Sequence, residues 1–145
     1  MDVLDLLKED HDKLKRLFSD LDQTTDRSKI KQLYLSIKDL IETHSHLEET
    51  IFYPAFEKFG ELRDQITVSI DEHKEMKELL REISGVSKTD ESILPRLQDL
   101  METVEHHLSE EENLVFPKVR KLMRRSEREQ MGRILAASRK EKRAA

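Results

Sequence analysis

Each of the four strongest amphipathic stretches in this chain carries a histidine where its apolar stripe calls for an aliphatic residue. The first stretch shows the pattern most plainly. Leu4, Leu7, His11, Leu14, Phe18 and Leu21 are spaced 3, 4, 3, 4 and 3, the buried stripe of a helix. The second stripe is Ile30, Leu33, Ile37, Leu40, His44, Glu48 and Ile51. The third is Leu62, Ile66, Ile70, His73, Lys77 and Leu80. The fourth is Leu97, Leu100, Val104, His107, Glu111 and Leu114. Four such helices joined by short loops predict an all-α fold, an antiparallel up-down four-helix bundle. Its polar residues have to meet in the core.

The boundaries follow from local chemistry. Asp2 caps a first helix that ends near Leu21. The turn residues "DQTTDRS" precede a second helix with Ser28 as its cap, running from Lys29 to Phe59 and stopping at Gly60. The third helix starts near Leu62 and ends at the loop "SGVSKTDES". Pro95 suits the first turn of the fourth. The run "SERE" at Ser126–Glu129 reads as a capping box for a short C-terminal fifth helix, whose end "RKEKRAA" is expected to fray. The division expected is a bundle domain over residues 1–124 and a C-terminal helix with a basic tail over 125–145.

Within the stripes, His44 and Glu48 are four apart, as are His107 and Glu111. That spacing puts both side chains on one helix face. The segments "HSHLEETIFYP" and "HLSEEENLVFP" align without a gap when Pro54 is set on Pro117. In both, histidine stands ten residues before the proline and glutamate six before it. The alignment selects His107 over His106 and Glu111 over Glu110. Helical phase makes the same selection, because His106 lies roughly 240° around from Leu100. His46 and His106 are expected outside the cluster, and Glu49, Glu110 and Glu112 read as solvated charges.

Four histidines and two glutamates in a core need partners, since burying unpaired carboxylates costs several kcal/mol each. A polyvalent cation offsets that cost. Imidazole and carboxylate without thiolate suit iron, manganese or zinc, and the chain has no cysteine. Six ligands exceed the needs of one tetrahedral zinc. Two carboxylates able to bridge suit a metal pair. Four nitrogens and two bridging carboxylates leave positions for solvent, an oxo or hydroxo bridge, or a further side chain. The centre is then open to a small ligand. Tyr53 is a candidate for that further side chain. It stands nine residues after His44, about 180° around an ideal helix, so it reaches the metals only if the helix distorts near Pro54.

At these residues the chain resembles the hemerythrin-like, or HHE cation-binding, family. The matched motif is His11, His44-x-x-x-Glu48, His73 and His107-x-x-x-Glu111, with "EDH", "DEH", "FYP" and "VFP" around it. The resemblance runs to about Leu122. It implies a four-helix bundle holding two iron ions in a non-haem centre bridged by the two glutamates. Oxygen-carrying members have a fifth histidine one turn after the third-helix histidine. Lys77 stands there, so reversible oxygen carriage is not the expectation. The family's iron–sulfur repair branch carries a cysteine-bearing N-terminal domain, which has no counterpart in this sequence. Two readings stay open. One is a catalase- or peroxidase-like protein that reacts with hydrogen peroxide under oxidative stress. The other is a non-catalytic binder of oxygen, nitric oxide or iron, acting as sensor or store. No catalytic residue is singled out.

Charge and hydropathy exclude other classes. Formal net charge is −5, with 39% charged residues and no basic patch interleaved with aromatics, so nucleic acid is not an expected partner. No apolar run approaches the roughly 20 residues of a membrane span. The acidic start "MDVLDLLKEDH" has no signal-peptide core, which predicts a cytoplasmic protein.

Overall fold

The computed structural model describes residues 1–87 and 91–144. Asp2 accepts a hydrogen bond from the Leu4 N–H at 2.9 Å and starts α1, Val3–Asp22. α2 spans Arg27–Leu47 and is capped by Asp26, which accepts from the Ser28 N–H at 3.0 Å. Ser28 is therefore inside the helix rather than its cap, because the longer-range acceptor is the carboxylate two residues upstream.

α2 does not continue to Phe59. It widens into a π-helical turn at Glu48–Phe52 and tightens into a 3₁₀ turn at Tyr53–Phe56, which contains Pro54. Gly60, expected as a stop, is the first residue of α3, Gly60–Ser84; the chain has already turned. α4 spans Ile93–Glu110 and again passes into a π turn, Glu111–Val115. α5, Phe116–Leu122, completes that arm. α6 spans Arg125–Ala144 and is 20 residues long. At its start the Arg124 N–H donates to Glu127 at 3.0 Å, so the reciprocal glutamate is Glu127 rather than Glu129. Of the loop "SGVSKTDES", residues 88–90 lie outside the described residues, as does residue 145.

α1 packs on α2 and α3 on α4, with narrower α2–α3 and α1–α4 contacts closing the four-helix ring. α6 lies against α1 and α2. Among the described residues no helix is long and apolar enough to cross a membrane.

The apolar core is split in two. One cluster gathers Leu4, Leu7, Leu47, Phe52, Phe56, Leu62, Ile66, Phe116, Val119 and Leu135. The other gathers Leu14, Phe18, Ile37, Ile41, Met76, Leu80, Leu100 and Val104. The stripe histidines fall between them along every helix: His11 between Leu7 and Leu14, His44 between Ile41 and Leu47. A polar layer separates two oily ones.

Three stripes differ from expectation. On α2 Tyr34 and Ile41 take the places assigned to Leu33 and Leu40, and Leu33, Leu40 and Ile51 are only partly buried. On α3 the buried positions are Leu62, Ile66, Ser69, His73, Met76, Leu80 and Ile83, so Ser69 and Met76 take the places assigned to Ile70 and Lys77. On the fourth helix Leu114 is 48% exposed while Val115 and Phe116 are buried. The π turn inserts one residue per turn, and everything after it is rotated by about 100°.

Candidate metal centre

His11, His44, Glu48, His73, His107 and Glu111 all reach the polar layer, none more than 3% exposed. α1, α2, α3 and α4 supply one histidine each, and the two glutamates open the two π turns. His106 is 68% exposed and lies 2.9 Å from Glu110, an i,i+4 surface pair. His46 is exposed.

Each buried histidine has its outward ring nitrogen tied to its own carboxylate. His11 Nδ1 is 3.0 Å from Glu112 Oε2, and His44 Nδ1 is 2.9 Å from Asp10 Oδ2. His73 Nδ1 is 3.1 Å from Glu49 Oε2, and His107 Nδ1 is 2.8 Å from Glu72 Oε1. A carboxylate accepts, so Nδ1 donates in all four, and Nε2 is the nitrogen left to face inward. Glu49 and Glu112 are thus not solvated charges, as their position in acidic runs suggested. They are half-buried and orient ligands. Asp10 and Glu72 do the same, and spacing did not reveal them because a carboxylate beside a histidine in sequence is common on any polar helix.

The inward nitrogens and the glutamates crowd together. His11 Nε2 is 3.1 Å from Glu111 Oε1, and His73 Nε2 is 3.1 Å from Glu48 Oε1. His73 Nε2 and His107 Nε2 are themselves 3.1 Å apart. His44 Nε2 is 3.2 Å from Glu48 Oε1 but off hydrogen-bonding geometry. Among the described residues that nitrogen and Glu48 Oε2 are buried with no hydrogen-bond partner. Among the described residues two buried groups of donors have the compactness of a metal shell: His11, His44, Glu48 and Glu111, and then Glu48, His73 and His107; a third group, Glu72, His106 and Glu110, lies at the surface. Glu48 belongs to both buried groups. Buried lone pairs pointing at one another are costly unless a cation sits among them, so the donor set fits bound metal.

Electrostatics agree. Burial works against charge on His107, yet Glu111, Glu48 and Glu72 outweigh it and hold the imidazole up at about 10. Burial likewise opposes charge on His44 and is overcome by Glu48 and Asp10, leaving its pKa well above the ordinary value. Glu48 is held well below the usual carboxylate range by His44 despite its burial. The hydrogen bond from His11 holds Glu112 at about 2. The cluster attracts cations, and in the metal-free protein those cations are protons.

Tyr53 enters the same layer. Its hydroxyl donates to Glu111 Oε2 at 2.5 Å and lies 3.2 Å from Glu48 Oε1 and 3.4 Å from His73 Nε2. The distortion it needs is the π turn at Glu48–Phe52. One extra residue in the turn reduces its angular offset from His44 from about 180° to roughly 80°. Burial, then the nearby Glu111 and Glu48 carboxylates, push the phenol pKa well above its ordinary value. Lys77, by contrast, does not face the centre. It is 52% exposed, with Nζ 3.7 Å from Glu49 Oε2, so the ring of Tyr53 rather than the Lys77 amine neighbours His73.

A bundle with this histidine and glutamate layer defines a class, the cation-binding helical bundles. The model of the hemerythrin HHE cation-binding domain matches residues 2–119, and the chain belongs to that family. It is 31% identical over 131 residues to a DNA nickase of Nostoc sp. (strain PCC 7120), covering 90% of this chain and 37% of that protein. It is 26% identical over 117 residues to an uncharacterised hemerythrin-like protein of Schizosaccharomyces pombe, covering 79% of this chain and 58% of that one. The chain therefore spans less than two thirds of either relative. No solved structure matches.

Proposed function

We propose that this metal-binding chain is a non-haem di-iron protein that reacts with a small oxidant such as hydrogen peroxide, in a catalase- or peroxidase-like way. The observation that carries this reading is the pair of donor groups sharing Glu48. His11, His44, Glu48 and Glu111 would hold one iron, and His73, His107, Glu48 and Tyr53 the other. Bound iron supplies Lewis acidity and electron exchange for cleavage of an O–O bond.

The residues supply the rest. The four outer carboxylates hold each Nδ1–H and so aim each Nε2 inward, where a bound metal would take the place of its proton. Tyr53, which in the metal-free chain donates to Glu111, would lose that proton on binding iron and supply a phenolate that favours the ferric state. Two peroxides yield dioxygen and two waters, so no further reductant is required. Because the ligands are buried, only a small molecule has access.

The second reading kept from the motif is a sensor or store for oxygen, nitric oxide or iron. A third, cleavage of DNA, is favoured by the name of the Nostoc relative alone. Against it stands the burial of the centre, which a phosphodiester backbone cannot reach. Cytoplasmic location is part of the proposal.

Elemental analysis of protein grown with iron, followed by oxygen-electrode measurements with added peroxide, tests these readings together. About two irons per chain and release of oxygen are expected. A reversible oxygen adduct of the reduced protein without oxygen release moves the assignment to the binder. One zinc and no iron overturns the di-iron reading. Nicking of supercoiled plasmid in the same preparation supports the third.

A further inference from the structure

α6 follows the segment matched by the family model, which ends at residue 119, yet it is fastened to α1 along a single face. Arg128 lies 3.2 Å from Asp2. Gly132 meets the Met1 and Val3 backbone. Leu135 is fully buried in the apolar cluster that also contains Val3 and Leu7. Arg139 donates to Asp10 Oδ2 at 2.8 Å. The spacings 4, 3 and 4 are those of one helical stripe, and its last member ends at the metal layer.

The oxygen that Arg139 engages is the one that His44 engages. Asp10 Oδ2 takes the guanidinium at 2.8 Å and His44 Nδ1 at 2.9 Å. We propose that Arg139 is a positioning residue of the metal centre: it fixes Asp10, Asp10 fixes the His44 ring, and α6 is thereby a working part of the site. The proposal rests on the metal reading only for its consequence on iron, not for the chain of contacts itself. Asp10 needs the restraint. It lines a cleft of about 460 Å³ together with Lys13, Ser36, Thr43 and Lys142, so an unrestrained carboxylate has water and Lys13 to turn to. Arginine suits the task, since its planar guanidinium is always charged and holds an oxygen in fixed geometry.

The test uses the full-length chain and four proteins: wild type, Arg139→Gln, Arg139→Lys and Arg128→Gln. Arg128→Gln removes the same charge from the same helix face, away from Asp10. Two quantities are measured. One is hydrogen exchange of the His44 Nδ1–H, read by ¹⁵N-edited NMR on chelator-treated protein. The other is the rate at which iron-loaded protein gives up Fe(II) to ferrozine. Arg139→Gln is expected to quicken both about tenfold, the lower end of what loss of an outer-layer partner costs a metal site. Arg139→Lys should recover part of each, and Arg128→Gln should match wild type. Wild-type behaviour of Arg139→Gln in the exchange measurement overturns the proposal, as does an equal effect of Arg128→Gln. If no protein in the set binds iron, the metal reading fails, and the exchange measurement still decides the role of Arg139.

Discussion

His73 and His107 face each other across the bundle with Nε2 atoms 3.1 Å apart, while Glu49 and Glu72 hold their opposite nitrogens at 3.1 and 2.8 Å. Neither ring can rotate away without breaking its outer hydrogen bond. The two inward lone pairs are kept in opposition, which only a proton or a metal ion resolves.

Replacing one outer carboxylate should therefore weaken metal binding without touching a ligand. Glu72→Gln is expected to lower iron affinity by about 10–100-fold, measured by competition with a chelator. Unchanged affinity would show that the His107 ring needs no such anchor.

The register on the fourth helix is tested by paired substitutions. His107→Ala should lose bound iron, and His106→Ala should retain it, because one side chain is in the buried layer and the other is 68% exposed. Iron content of the purified variants decides.

Tyr53→Phe removes the hydroxyl that donates to Glu111. In the metal-free protein a buried acceptor is left short, at a cost of about 1–3 kcal/mol, readable by urea unfolding. In the iron-loaded ferric protein, a visible phenolate band is expected in wild type and absent from the variant. A band that survives the substitution excludes Tyr53 as an iron ligand.

Stability should depend on alkaline pH differently with and without metal. For His107, raised from 6.5 to about 10, the favourable contribution is complete below 6.5 and is lost as pH climbs to 10. For Glu112, lowered from 4.5 to about 2, it is complete above 4.5 and is lost as pH falls to 2. Metal-free protein is thus expected to be most stable between about pH 4.5 and 6.5, and to weaken on the alkaline side. Iron-loaded protein should not weaken there, since the metal replaces the protons, and should weaken in acid as protons displace it. Thermal melts across pH, with and without chelator, compare the two. Parallel curves would mean that the ions and the protons do not share these sites.

Gly132→Ala should destabilise, although alanine is the better helix former by about 1 kcal/mol. A Cβ at Gly132 would overlap the Met1 carbonyl oxygen and crowd the Val3 nitrogen. Forcing the backbone apart typically costs about 1–3 kcal/mol, so the net sign is unfavourable in chemical denaturation. A stabilised variant would show that α6 is not seated on α1.

The bundle and its histidine layer could be read from spacing because they rest on the 3.6-residue period, which holds along α1 and the first parts of α2 and α4. Beyond one-residue shifts on α2 and α3, where Tyr34, Ile41, Ser69 and Met76 are buried beside the positions expected, the reading fails where the period fails. Leu114 looked inward and is exposed, and Tyr53 looked outward and is buried, both downstream of a π turn. Position along a helix carries no mark of an inserted residue, so the phase error is invisible until the backbone is seen. Lys77 fails differently. It sits at helical spacing from His73, but a lysine amine finds the Glu49 carboxylate and solvent instead of the core. The outer carboxylates were hidden because pairing across helices, as between His11 and Glu112, leaves no local pattern.

On the two-metal reading, the shared glutamate would couple the filling of the two donor sets. His11 and His44 come from one helical hairpin, His73 and His107 from the other, and Glu48 leans on both sets. An ion held by either hairpin would take hold of a carboxylate that the other set also needs, and so would preorganise that set for a second ion. Titration with metal should then look cooperative, passing from empty to doubly filled chains with few singly filled ones between.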